Sequence, residues 1–394
     1  MQKERKMVNT VNSFGGKAVL MLAYVAGMVD MVALPVWIGT LMQHYRYSPT
    51  QAGITVTIFL LGVVLSSLFF APRFNRVARR AAATGGFAMA AVAFMFAGLQ
   101  PVWVDGFDML LALHGLAGLG VGCGLSFTDG VMGRSANPHR LWAMANVALG
   151  VFAVIFLGGM PQLLKHVPAS ILFVVYAGLM ALAALAVGLG FPTIDQDVEK
   201  VNQSQQPAAS AKIPAAAWFV IAAVVCLTLN QAMVFSFVER IGAARGFGAD
   251  KVQVVLIALG LVNLLPGVLA ALLERKWSAF VVGMAGPIGQ ALLALMMTAS
   301  TDYAYYAVAA SLYVFMVIFT HTFLLGLLAR LDTSGRAVAA TPAMMMLGSC
   351  IGPALGGGIV QTVGYPGLGW AACAVAVVAI VAMTQAQRRA QSAA

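Results

Sequence analysis

Twelve long apolar stretches constrain this chain more than any other feature. They run over residues 16–42, 50–72, 82–99, 107–132, 141–163, 168–191, 214–240, 250–273, 278–299, 303–329, 337–362 and 366–386. Each is long enough to cross a hydrocarbon layer about 30 Å thick as a helix. Inside lipid a backbone amide or carbonyl finds no water, so such segments are expected to satisfy their own hydrogen bonds as α-helices. With 61% hydrophobic and 9% charged residues among 394, the chain also lacks the polar surface that would cover a soluble globule. The expected fold class is an all-α membrane protein with twelve transmembrane helices. The N-terminal MQKERKMVNT is basic, but the apolar run behind it is long and has no small-residue cleavage site. It reads as a first span rather than a removed signal peptide, with the mature chain beginning near Met1. The four cysteines, Cys123, Cys226, Cys350 and Cys373, all fall inside apolar runs, where reduced packing residues are expected and a disulfide framework is not.

Between the sixth and seventh stretches, residues 192–213 are polar and rich in Ser, Gln and Ala, the composition of a flexible linker. The expected organisation is an N-terminal six-helix bundle over 1–191, this linker on the cytoplasmic side, and a C-terminal six-helix bundle over 214–394. Placing the N-terminus in the cytoplasm puts every Lys and Arg on the cytoplasmic side except Arg46, Lys165, Arg240, Arg245 and Lys251. Both termini are therefore expected in the cytoplasm, in a bacterial-type cytoplasmic (inner) membrane. Topology accounts for the net charge of +10 without a nucleic-acid partner. The halves also echo one another. Arg134 and Arg140 of the 4–5 loop, and Arg79 and Arg80 of the 2–3 loop, recur at one common offset as Arg330, Arg336, Arg275 and Lys276. Such an internal six-helix repeat is a transporter architecture.

Asp30 sits in the first apolar stretch, where a carboxylate costs roughly 2.5–3.5 kcal/mol on insertion scales. Helical spacing puts Ala26, Ala33, Leu34 and Trp37 on its side of the helix, a small and then aromatic face that suits a substrate cavity better than lipid. Asp30 either handles a proton or substrate, or ties two helices together by a hydrogen bond or ion pair, with His114 the partner that can be named. No Lys or Arg stands at the middle of any stretch, which argues against organic anions and sugar phosphates as solutes. Mid-span polar residues of the second half are Asn230, Gln231, Asn263, Thr320, His321 and Thr322. Each is either interhelical glue or cavity lining, and with 22 Met and 22 Phe they suit a neutral or cationic, partly hydrophobic solute. Glu239 and Arg240, adjacent at the outer end of the seventh stretch, read as a surface pair.

Three motifs resemble those of the major facilitator superfamily of secondary transporters, and the twelve-span plan resembles it over essentially the whole chain. The first lies in the 2–3 loop, where Ala71-Pro-Arg-Phe-Asn75-Arg76-Val-Ala78-Arg79-Arg80 is similar to the family's Gly-xxx-Asp-Arg/Lys-x-Gly-Arg-Arg/Lys. Asn75 replaces the acid and alanines replace the glycines. The resemblance implies a cytoplasmic gate through Asn75, Arg76, Arg79 and Arg80, with Asp129 either the substitute carboxylate or a solvent-facing helix end. The second lies in the fourth stretch, where His114 stands at the place of an arginine that the family's exporters implicate in proton transfer. A histidine there keeps the chemistry and removes the fixed charge; the other reading is a buried neutral imidazole. The third, Gly348-Ser-Cys-Ile-Gly352-Pro353-Ala-Leu-Gly356-Gly357-Gly358, resembles the family's antiporter motif, but stands in the eleventh stretch instead of the fifth. There Gly352, Pro353, Gly356 and Gly357 fit a helix-bending or interface role.

Signatures of soluble enzymes are missing: no phosphate loop, no Rossmann fingerprint, no HExxH, no paired CxxC. A protein without enzymatic activity, cofactor or metal is expected, working on a small-molecule substrate and protons in a lipid bilayer, as a monomer. The expected function is proton-coupled export by alternating access. The alternatives are a proton-coupled importer or facilitator of a metabolite, and a non-transporting membrane receptor or enzyme.

Overall fold

The computed structural model describes residues 10–99, 106–194, 213–332, 337 and 341–392. Most of the expected linker, together with Lys3, Arg5, Lys6 and Arg336, lies outside the described residues. Among the described residues, 12 helical segments are long and apolar enough to cross a membrane, from Phe14–Gln43 to Tyr365–Gln391, so this is a multi-pass all-α membrane protein.

Three expected single helices are each two. The first span is α1 (Phe14–Gly27) and α2 (Val29–Gln43), divided at Met28, which leaves the helical region with φ −98° and ψ 23°. The seventh is α8 (Ala215–Phe235) and α9 (Val238–Ala244), divided at Ser236 and Phe237. The eighth is α10 (Ala249–Val262) and α11 (Pro266–Leu273), parted just ahead of Pro266, which cannot donate to the preceding turn. The remaining spans are α3 (Pro49–Phe70), α4 (Arg79–Leu99), α5 (Phe107–Met132), α6 (Pro138–Leu163), α7 (Ile171–Gly190), α12 (Ala279–Ala299), α13 (Tyr303–Leu331), α14 (Thr341–Val363) and α15 (Tyr365–Gln391).

Two compact units emerge. The first takes residues 1–32, 58–152 and 167–206, and the second takes 33–57, 153–166 and 207–394. In the first, glycines of α5 replace side chains where backbones meet, as expected when apolar lipid supplies no drive for helices to associate. Gly118 and Gly122 lie on the carbonyls of Phe59 and Val63 in α3, and Gly120 and Gly86 lie on each other's carbonyls across α5 and α4. Behind them Phe59, Phe94, Phe173 and Tyr176 form an aromatic core, with Phe94 and Phe173 stacked at 6.5 Å. In the second unit, α8 packs between α14 and α15. A buried apolar cluster of Val220, Val224 and Leu227 with Phe323, Leu324 and Met383 joins it to α13 and α15.

The second unit is also where the ends away from the termini come together. Gly53 of α3 lies on the Pro353 carbonyl, and Gly357 lies on the Pro49 carbonyl. The Ala354 amide, next to a proline in mid-helix, donates to Thr57 Oγ1 at 3.1 Å. Gly352 and Gly356 meet α8 at Ala232 and Met233. The glycine-proline motif is thus a close-packing face of α14 turned to two neighbours.

Candidate functional site

Asp30 is the second residue of α2, in the first turn of a helix that begins again in mid-span, and it is 4% exposed. Its carboxyl lies against the backbone N–H groups of Asp30 and Met31 at the restart of the helix, where the Met31 N–H also donates to the Met28 carbonyl at 3.2 Å. Its Oδ1 has no hydrogen-bond partner. Tyr24 and Tyr176 lie within electrostatic range of it. Tyr24 donates to Asn146 Oδ1 at 3.3 Å and meets the Trp142 ring edge-on at 5.3 Å. A buried carboxyl with a free oxygen, beside aromatic hydroxyls, can accept a proton or a ligand donor at little local rearrangement.

His114 is fully buried, and it is a different kind of residue. Its Nδ1 lies 2.7 Å from the Leu110 carbonyl, and Phe94 and Phe173 meet its ring edge-on at 5.8 and 5.2 Å. Among the described residues no hydrogen bond or ion pair joins it to Asp30, so the imidazole is not the tie expected for that acid.

A second polar region lies in the second unit, at the end away from the termini. A cavity of about 620 Å³ is lined there by Gly39, His44, Lys165, Glu239, Arg240 and Gln253, among others. Lys165 pairs with Asp250 at 2.8 Å, and Gln253 takes a hydrogen bond from Gln162 and gives one to the Gly158 carbonyl. Arg240 Nη1 donates to Gln43 Oε1 at 3.4 Å. The Glu239 carboxyl packs on the backbone of Gly39, and its Oε2 is buried without a hydrogen-bond partner. The sequence reading of Glu239 and Arg240 as a surface pair is therefore corrected. Both line a cavity, because the break at Ser236 and Phe237 redirects α9. Burial, and then the Arg240 guanidinium, hold the His44 pKa below the ordinary histidine value.

Residues 19–341 match the sequence profile of the Major Facilitator Superfamily. The chain belongs to this superfamily. A "Putative metabolite transport protein" of Haemophilus influenzae is 32% identical over 169 residues, a stretch spanning 41% of this chain and 40% of that relative. Two solved superfamily-like structures share the fold: a D-xylose-proton symporter (TM-score 0.68, 15% identity, covering 95% of this chain and 97% of its own) and the human organic anion transporter MFSD10 (TETRAN) (0.65, 11%, 94% and 99%).

In the 2–3 loop, Asn75 Oδ1 accepts from Arg79 at 3.0 Å. The Phe74 ring lies under both Arg79 and Arg134, at 4.5 and 4.0 Å, and Arg80 donates to the Gly188 carbonyl. Arg76 closes a turn through its amide to the Arg73 carbonyl. Asp129 is not a counter-ion to these arginines. Its Oδ1 is buried without a partner, and the group it couples to is Tyr24. Ala26, Ala33, Leu34 and Trp37 are all buried, yet none lines the cavity of the second unit, which takes Val36, Gly39 and Thr40 from α2. In α8, Asn230 Nδ2 donates to the Ala372 carbonyl and the Asn230 carbonyl accepts from Tyr313, joining three helices, with Gln231 buried beside it. Thr320 packs on Gly286 and donates to the Met316 carbonyl, while Thr322 donates to the Ile318 carbonyl. Asn263 Oδ1 and His321 Nε2 are buried without partners. Among the described residues no three His, Cys, Asp or Glu converge as metal ligands.

Proposed function

We propose that this superfamily member exports a small neutral or cationic, partly hydrophobic organic solute in exchange for protons, by alternating access of two six-helix halves. The carrying observation is Asp30: a buried mid-span carboxyl at a helix restart, with one oxygen unpartnered. Discontinuous spans of this kind form the ion and substrate sites of many secondary transporters. One acid with no mid-span cation beside it serves either a proton or a solute's donor group. Binding of one weakens binding of the other, and that negative coupling is what an exchanger requires. In the first unit Tyr24, Trp142 and Asn146 supply the aromatic and amide groups that would shape the solute side of the site.

The test uses proteoliposomes with an imposed proton gradient and a panel of organic cations and neutral amphiphiles. Wild-type protein is expected to move at least one solute against the proton flux, and Asp30→Asn to lose the gradient-driven movement while remaining folded by size-exclusion chromatography. Proton and solute moving in the same direction would replace exchange by symport. Undiminished gradient-driven transport by Asp30→Asn would remove Asp30 from the mechanism.

A further inference from the structure

Two of the three discontinuous spans carry acids at matching places. Asp30 is the second residue of α2 and Glu239 the second residue of α9, each just past a break and each with a buried oxygen that nothing pairs. Their spans are the first and seventh, the corresponding members of the two sextets. The surroundings of Glu239 differ in one respect: its carboxyl is pressed onto the backbone of Gly39, in α2. This contact stands at the end away from the termini, where Lys165–Asp250, Gln162–Gln253 and the Gly53–Pro353 approach are also made.

We infer that Glu239 is a second proton-carrying acid of the transport cycle, protonated when the end away from the termini closes onto Gly39. A carboxylate oxygen sealed against backbone with no donor is costly as an anion and much less so as part of a carboxylic acid. The charged and titratable groups around it are Arg240 on its own helix, His44 after α2, Lys165 and Asp250 across the cavity, Tyr306 of α13 and Tyr365 of α15. Arg240 favours the anion; its Nη1 donates to Gln43 and it meets Tyr365, its buried Nε makes no hydrogen bond, and Oε2 remains without a donor. Tyr306 spends its hydroxyl proton on the Val238 carbonyl at 2.9 Å and so gives Glu239 none. Closing therefore takes up a proton, and opening releases it. With this end on the proton-rich side, a proton is loaded there, closure follows, and the proton is committed to the other side.

The inference rests on the proton-coupled reading above only in assigning the proton to transport; the coupling of Glu239 to closure is measured by itself. Spin labels at His166→Cys and Tyr305→Cys, two exposed positions at this end, report its opening in the full-length protein by pulsed-resonance distance measurement. The short-distance population is expected to grow as pH falls, by up to about tenfold in the closed-to-open ratio per pH unit for a single proton. In Glu239→Gln it stays high at every pH, and in Asp30→Asn and His44→Gln the pH response survives. A wild-type ratio that ignores pH, a Glu239→Gln protein that titrates like wild type, or a response lost in His44→Gln or Asp30→Asn but kept in Glu239→Gln overturns the inference. Loss of gradient-driven transport in Asp30→Asn with the distance response intact leaves Glu239 in place and bears on Asp30 alone.

Discussion

The Glu239 carboxyl rests on the backbone of Gly39, so close that a single methyl group at position 39 would overlap Oε2. The glycine is needed here for space, not for an unusual backbone angle, since it lies within α2. One helix of the first span and one of the seventh thus meet through an acid and an absent side chain.

Gly39→Ala should consequently hold this end open. Overpacking of a formed contact costs about 1–3 kcal/mol, which moves a two-state ratio roughly five- to 150-fold. If the contact is made on closing, as inferred above, the protein is expected to fold and to bind detergent micelles normally, while the spin-label distances described above lengthen at every pH. Solute flux should fall in proportion. Distances and flux equal to wild type would show that Gly39 and Glu239 separate without consequence.

Much of the architecture could be read directly from the chain, and the reasons are physical. Lipid forces long apolar runs to be helices, so all twelve spans were visible, with ends shifted by a few residues. Asp30 was conspicuous through cost alone. The breaks at Met28 and at Ser236–Phe237 were not legible, since neither carries a proline and the second is met by a contact from another helix. Tyr306 donating to the Val238 carbonyl is that contact. Glu239 was misread for the same reason: adjacency to Arg240 suggested a surface pair, and only the redirected α9 shows both lining a cavity. The sequence leaves Asp129 open between a counter-ion and a solvent-facing helix end, because a place at the arginine-loop end of its helix says nothing of which face the acid occupies.

Packing at Gly118 predicts a pair of opposite outcomes. A Cβ there would meet the Phe59 carbonyl, a backbone atom of α3 that cannot rotate away, whereas a Cβ at Gly178 of α7 meets nothing within 4 Å. Gly118→Ala is expected to lower stability by about 1–3 kcal/mol. Gly178→Ala should be neutral or raise it by up to about 1 kcal/mol, through helix propensity. Thermal unfolding in one detergent, followed by intrinsic tryptophan emission, compares the two, and equal shifts would contradict the close approach of α3 and α5.

His44 predicts how stability responds to acid. Its imidazole lies at the cavity rim, where burial first and the Arg240 guanidinium second lower its pKa from 6.5. Above 6.5 it is neutral both folded and unfolded and contributes no pH dependence. Below 6.5 the unfolded chain takes up the proton while the folded protein resists it, so stability falls with pH until the lowered folded value is reached. His44→Gln removes this proton difference and keeps an amide in its place. The variant's thermal midpoint should therefore decline less than that of wild type as pH is taken below 6.5, with the two curves converging above it. Parallel curves across that window would mean that His44 titrates in the folded protein as it does in the unfolded chain, and that Arg240 and burial leave it unaffected.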